Sequence, residues 1–317
     1  MWVRACLAGA TVAALAVAVG ASAAASACGA PTQTIAAVDG GVLQMIYANE
    51  LHSYEVQVDL AHVDAAAGLV QAAARGDRAA AQTATNAIIK HRVWHVSHLR
   101  VSDARGAVVA DAGVPNAIAP VAGELRLAGR IVGSFLMSVQ DAPGIVKLET
   151  RVVGNPIGVY SHGALLMADR GGLPSSLPGA ATVSLGRSSY EVVRQSIQAF
   201  PSGTVTLAML VRASAPSPRT PSCSVLRAGE FAHIAAHLAN IAALTADPSG
   251  LAQEVSFYTG ALAFVREPGG RLVGVGGQPP ASLPNSGSIS YEGRTWLVAS
   301  VALAGGRRLY VLAPPGG

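Results

Sequence analysis

The chain has 317 residues, of which 51% are hydrophobic, 13% charged and 5% aromatic, and 22 Lys and Arg against 18 Asp and Glu leave a formal charge of +4. So thin a positive charge excludes a nucleic-acid stripe, and the plentiful Leu, Ile and Val exclude disorder over most of the chain. From the N-terminus, Met1 to Arg4 lead into Ala5 to Ala27, 23 residues without a charge. Such a run is long enough to span a bilayer at about 1.5 Å per residue. The Ala- and Ser-rich last third, ending in the small residues Ala25, Ser26 and Ala27, favours a cleaved signal peptide over residues 1–27 instead.

Cys28 follows directly, and Ala25, Ser26, Ala27, Cys28 resembles a bacterial lipoprotein box. The resemblance implies lipidation of Cys28 and a chain tethered to the outer face of the cell membrane. The alternative is a bridge between Cys28 and Cys223 in an oxidising compartment, since Cys6 departs with the signal. Without a CxxC partner or a nucleophile signature, an unbridged Cys223 reads as a small apolar residue.

From Val38 to about Ala74 the composition predicts a long helical entry, with Leu43, Ile46 and Tyr47 in one cluster and Leu60, Val63 and Val70 in another. Gly76 and Asp77 break it, Asp77 as the N-cap of a second helix through Ile89. A third helix is expected over Asp141–Val153 and a fourth over about Ala228–Ala246. Between them run three segments of one layout: a Pro, a short alternating strand, a Gly and Arg turn, then a longer apolar strand. Pro120 leads to Gly129 and Arg130, Pro178 to Gly186 and Arg187, Pro284 to Gly293 and Arg294, at spacings of nine, eight and nine. Period-two alternation puts Leu125 and Leu127, or Val183 and Leu185, on one face, so each unit predicts a β-hairpin with glycine in its turn. Turns at Asp103–Gly106 and Glu267–Gly270 mark earlier strand pairs, and Ile131–Gln140, Thr204–Val211 and Arg308–Leu312 close the units. The expected fold is α+β: repeated antiparallel β-meanders with a long N-terminal helical segment and packing helices. The expected units are 28–141, 142–212 and 222–317, with a Pro/Ser linker at 213–221.

The helical entry, the strands around Leu99–Asp103 and Ala107–Asp111, and the meander closing at Ser138, Val139, Gln140, Asp141 resemble the extracytoplasmic PAS-like sensor domains called Cache or PDC domains. Val101, Asp103, Gly106, Val108 and Asp111 carry the strongest likeness, and the later units resemble further PAS-like halves. The resemblance implies a small extracellular ligand and, through a membrane signalling protein, a transmitted signal. The last residues, Val311–Gly317, form no exit helix, so ligand capture for a partner or stand-alone binding is expected here.

Metal and catalytic chemistry fare poorly. His91, His95 and His98 are spaced four and three apart, but alternation from Trp94 onward predicts a strand that sends His95 and His98 to opposite faces. His233 and His237 share a helix face without the Glu that a zincin needs. No G-x-S-x-G elbow occurs, and the adjacent Ser161 and His162 are set aside as a catalytic pair. Gly274–Gly277 is followed by Pro279 and Pro280 where a nucleotide loop opens a helix. The expectation is therefore no enzyme, no cofactor and no metal. A ligand between the first meander and its helix would meet Tyr47, Tyr54, Trp94, His95, Arg100, Ser138 and Asp141. The rival readings are a structural or partner-binding envelope lipoprotein and, further off, a hydrolase whose nucleophile and base lie within about 3.2 Å.

Overall fold

The computed structural model describes residues 31–91, 94–213, 222–240, 247–275 and 278–314. The signal segment, Cys28 and most of the Pro/Ser linker lie outside them. The N-terminal helical stretch is three helices: α1 (Pro31–His52), α2 (Tyr54–Asp64) and α3 (Ala67–Arg75). A single helix through this stretch is ruled out by Ser53, whose hydroxyl accepts from the Val56 amide at 3.2 Å and restarts the chain as an N-cap. Asp77 caps α4 (Arg78–Ile89) as expected, accepting from the Ala80 amide at 3.0 Å. Asp141 does the same for α5 (Ala142–Val153).

The strands follow the alternation. β1 (His98–Asp103), β2 (Val108–Gly113), β3 (Ala117–Leu127) and β4 (Arg130–Asp141) form an antiparallel sheet in the order β2-β1-β4-β3. β1 starts at His98 and not at Trp94. The approach to it is held by a helix instead of a strand, because the His95 amide donates to Asp59 of α2 at 3.0 Å. After α5 come β5 (Ile157–Ser161), β6 (Ala164–Ala168), β7 (Thr182–Leu185), β8 (Ser188–Gln198) and β9 (Thr204–Arg212). α6 (Cys223–Ala239) begins five residues before the expected helix because Ser222 caps it, accepting from the Val225 amide. α7 (Pro248–Thr259) and β10 (Leu262–Arg266), β11 (Leu272–Gly274), β12 (Ser286–Tyr291), β13 (Arg294–Ala302) and β14 (Arg308–Ala313) complete the described fold. The second and third sheets share one order: β6-β5-β9-β8-β7 and β11-β10-β14-β13-β12. In each, the last strand pairs with the first, as the closing strands at Thr204 and Arg308 predict.

Two main cores result. α2, α3 and α4 cover the first sheet over Val63, Leu69, Leu99, Val101, Leu125 and Met137. The second and third sheets lie on a common core with α1, α5, α6 and α7, so the linker separates two sheets without separating two cores. Helical spacing places Ile234, Ala235 and Leu238 of α6 there, fully buried. Each such Leu or Ile contributes about 1.5–3 kcal/mol by leaving water. α1 approaches β8 closely at Gly40, where a Cβ would stand 3.0 Å from Val193 Cγ1.

Candidate ligand-binding cleft

The first and second sheets meet end to end. The Phe200 amide donates to the Ala117 carbonyl at 3.1 Å, and Ile118 bridges Ala199, so the start of β3 is tied to the turn after β8. A cleft of about 280 Å³ opens beside this joint. Asn116, Ser161, His162, Ser202 and Thr204 supply its polar lining, and Ile118, Leu166, Phe200 and Val205 its apolar lining.

Local structure places each group. Ser161 ends β5, and His162 and Gly163, at φ 50° and 80°, form the two-residue turn into β6. Two positive φ values in succession suit a hairpin whose second residue is glycine. Ser161 Oγ and His162 Nδ1 are 3.1 Å apart. This satisfies the distance set for a nucleophile and base, but among the described residues no carboxylate bonds to His162 to orient it. Asn116, Ser202 and Thr204 make no side-chain hydrogen bond to other described residues, which leaves their polar atoms for whatever enters the cleft.

Phe200 forms one wall, and its setting is fixed from outside the cleft. The His98 ring lies 4.2 Å from the Phe200 ring, and the Arg100 guanidinium stands 5.9 Å from the same centroid. Asp111 bonds to both side chains: His98 Nε2 at 2.7 Å, Arg100 Nε at 2.9 Å and Arg100 Nη2 at 2.6 Å. Partial burial raises the Asp111 carboxyl, but the bonds from Arg100 and His98 outweigh it and hold the group below its ordinary value.

The residues expected to line a pocket are dispersed. Tyr47 is half-buried, and its phenol oxygen accepts from the Gln198 amide at 3.1 Å; burial raises its pKa. Tyr54 is 83% exposed at the start of α2. Trp94 is stacked between His91 and His62, at ring distances of 4.1 and 4.8 Å. His95 is tied through its backbone amide to Asp59, whose buried carboxyl is raised by desolvation. Ser138 is fully buried and donates to the Ile118 carbonyl, with Ser97 and Gln140 as further partners. Asp141 accepts from the Gly144 amide at 2.7 Å. Arg100 reaches the cleft only through Phe200, and Ser138 only through Ile118. Cys28 lies outside the described residues. The centre of the layer between the first meander and its helices is packed with the apolar side chains of the first core, and the cavities described, including the groove at its edge, are lined by none of the seven.

A second, more open groove of about 410 Å³ runs between α2 and the β3–β4 hairpin, past Gln57, Leu60, Asp64 and Phe135. Arg126 pairs with Glu124 there at 2.5 Å, and Asp64 adds a second carboxylate. Among the described residues no group of three or more His, Cys, Asp or Glu is placed to hold a metal ion. His233 and His237 meet edge to face at 4.6 Å. No described helix is long and apolar enough to cross a membrane. Cys223 is disulfide-bonded, to a cysteine outside the described residues. No family model matches the chain, and no curated protein is significantly similar to it.

Proposed function

We propose that this protein is an extracytoplasmic binding protein, built of repeated PAS-like units, that takes a small polar molecule into the cleft at the joint of its first two sheets without transforming it. The observation that carries the reading is the cleft itself: an aromatic wall fixed from behind by Asp111, with the Asn116 side-chain amide and the Ser202 and Thr204 hydroxyls bonded to no other described residue and the Ser161–His162 pair beside them. The strand order common to the second and third sheets supports repetition of one unit. The uncharged N-terminal stretch and the disulfide at Cys223 both support an oxidising compartment outside the cytoplasm. A lipid on Cys28 and a bridge from Cys28 to Cys223 exclude each other, and the disulfide formed by Cys223 favours the bridge.

The test is a thermal-shift screen of the oxidised chain from Cys28 onward against amino acids, small carboxylates, purines, polyamines and divalent metals. Ligand at about 100 times its Kd adds roughly 2.7 kcal/mol, enough to raise Tm by a few degrees. The expected result is a shift with one chemical class that Asn116→Ala and Thr204→Ala each diminish. Silence across the panel from a cooperatively melting protein, or a shift that both variants retain, overturns the cleft as the site and moves the reading to a structural or partner-binding role.

A further inference from the structure

The helical layer between the second and third sheets contains two acids that the cleft does not use. Asp39 of α1 is fully buried, and Glu230 of α6 is 9% exposed. Asn155 Nδ2 donates to Asp39 Oδ2 at 2.7 Å, while Asp39 Oδ1, also buried, meets no donor among the described residues. Two ionised carboxylates do not lie side by side out of water. One proton shared by the two side chains removes the repulsion. Burial, then Glu230, raises the Asp39 carboxyl to about 8, with Asn155 opposing; burial raises Glu230 also, with His233 opposing.

The surroundings offer no substitute for that proton. From α6 itself come Arg227 one turn before, the exposed His233 one turn after and His237 beyond it. The His237 imidazole lies against Gly154, where a Cβ would come within 2.3 Å of its Nε2, and burial lowers its pKa. α5 carries the buried Glu149 and, in its last turn, Arg151, whose charge acts on Glu254 of α7, before the turn that presents Asn155. α7 turns Val255 and Tyr258 inward. β8 presents Gln195 between Val193 and Ile197, and β13 and β14 present Leu297, Ala299, Leu309 and Val311. Among the described residues no Lys or Arg forms an ion pair with Asp39 or Glu230.

Position gives the pair its leverage. α1 packs on β8 of the second sheet and on α6 and α7 beside the third. Whatever docks α1 therefore joins the two halves of the shared core.

We propose that α1 is a proton-gated clasp, docked while Asp39 and Glu230 share a proton and loosened when the pair loses it. Opening returns both acids to water and to ordinary carboxylate behaviour. Between that range and about pH 8 the docked state holds one proton more than the open state, so opening is favoured by rising pH. The opening constant is expected to grow about tenfold per pH unit through this window and to level off above it.

Hydrogen exchange on the full chain between pH 5.5 and 9, expressed as protection factors corrected for the intrinsic rate, reads this directly. In the wild type, α1 protection should fall about tenfold per unit up to about pH 8 while β1, in the other core, changes less. In Asp39→Asn the new amide can donate to Glu230, and the α1 slope should fall by about one proton relative to wild type, leaving only what Glu149 of α5 contributes. Glu230→Gln should do the same from the opposite side and serves if the first variant does not fold. A flat wild-type profile, a slope undiminished in both variants, or an equal slope in β1 overturns the clasp.

Discussion

Phe200 donates its backbone amide to the carbonyl of Ala117, and through that bond the end of the second sheet's β8 is stitched to the start of β3 in the first. The same residue turns its ring between the cleft and the His98–Arg100–Asp111 cluster, so one position serves both the joint and the candidate site.

Phe200→Ala should accordingly destabilise the protein by about 3 kcal/mol, the low end for emptying a largely buried phenylalanine site. Urea unfolding measures it. A loss under about 1 kcal/mol would show that the joint collapses around the gap, and that the two sheets are not coupled through this ring.

Asp111 is held below its ordinary value in the folded state, so its contribution is present above the unfolded carboxylate pKa and is lost as pH falls through the folded one. The side chain is 36% exposed, and solvent screening limits the effect to about 1 kcal/mol or less. Asp111→Asn should flatten the stability profile between about pH 5 and 2 relative to wild type. Identical acid profiles would mean that the bonds to His98 and Arg100 are silent in stability.

Glu149 of α5 shifts the other way. It is fully buried, neither carboxyl oxygen finds a partner among the described residues, and burial, then Glu50, pushes its pKa well above the ordinary value. The folded state keeps a proton that the unfolded chain releases, so stability falls as pH rises above the unfolded glutamate range. Glu149→Gln should weaken that decline and gain stability relative to wild type from pH 6 to 8, as followed by denaturant titration at each pH. An unchanged slope would show that Glu149 ionises freely in the fold.

Non-reducing digestion and mass spectrometry of the mature secreted chain should recover a peptide pair linking Cys28 to Cys223. Cys223→Ser should cost about 2–5 kcal/mol, the range for removing a native bridge. A diacylglyceryl mass on Cys28 with a free Cys223 thiol would reverse the assignment and make the chain a lipoprotein.

The sequence by itself determined what short-range chemistry controls. Asp77 and Asp141 are legible as N-caps because a side-chain oxygen needs only the next turn's amides. The hairpins at Gly129, Gly186 and Gly293 are legible because alternation and a positive-φ glycine are local signals. Ser53 carried such a signal too, hidden inside a stretch helical in composition. The site was not legible. Asn116 and Phe200 sit on separate turns and Ser161 at the end of β5, and each alone is an ordinary residue until the joint brings them together. Of the seven residues expected around a pocket, Tyr54 is exposed and the others support caps, stacks and backbone ties, because Leu and Val pack the centre of the layer between the first sheet and its helices. Tertiary structure likewise decided that Asp39 and Glu230, on helices far apart in the chain, share one dry interface. Burial and a neighbouring charge set the behaviour of a carboxyl group, and neither is a property of the sequence around it.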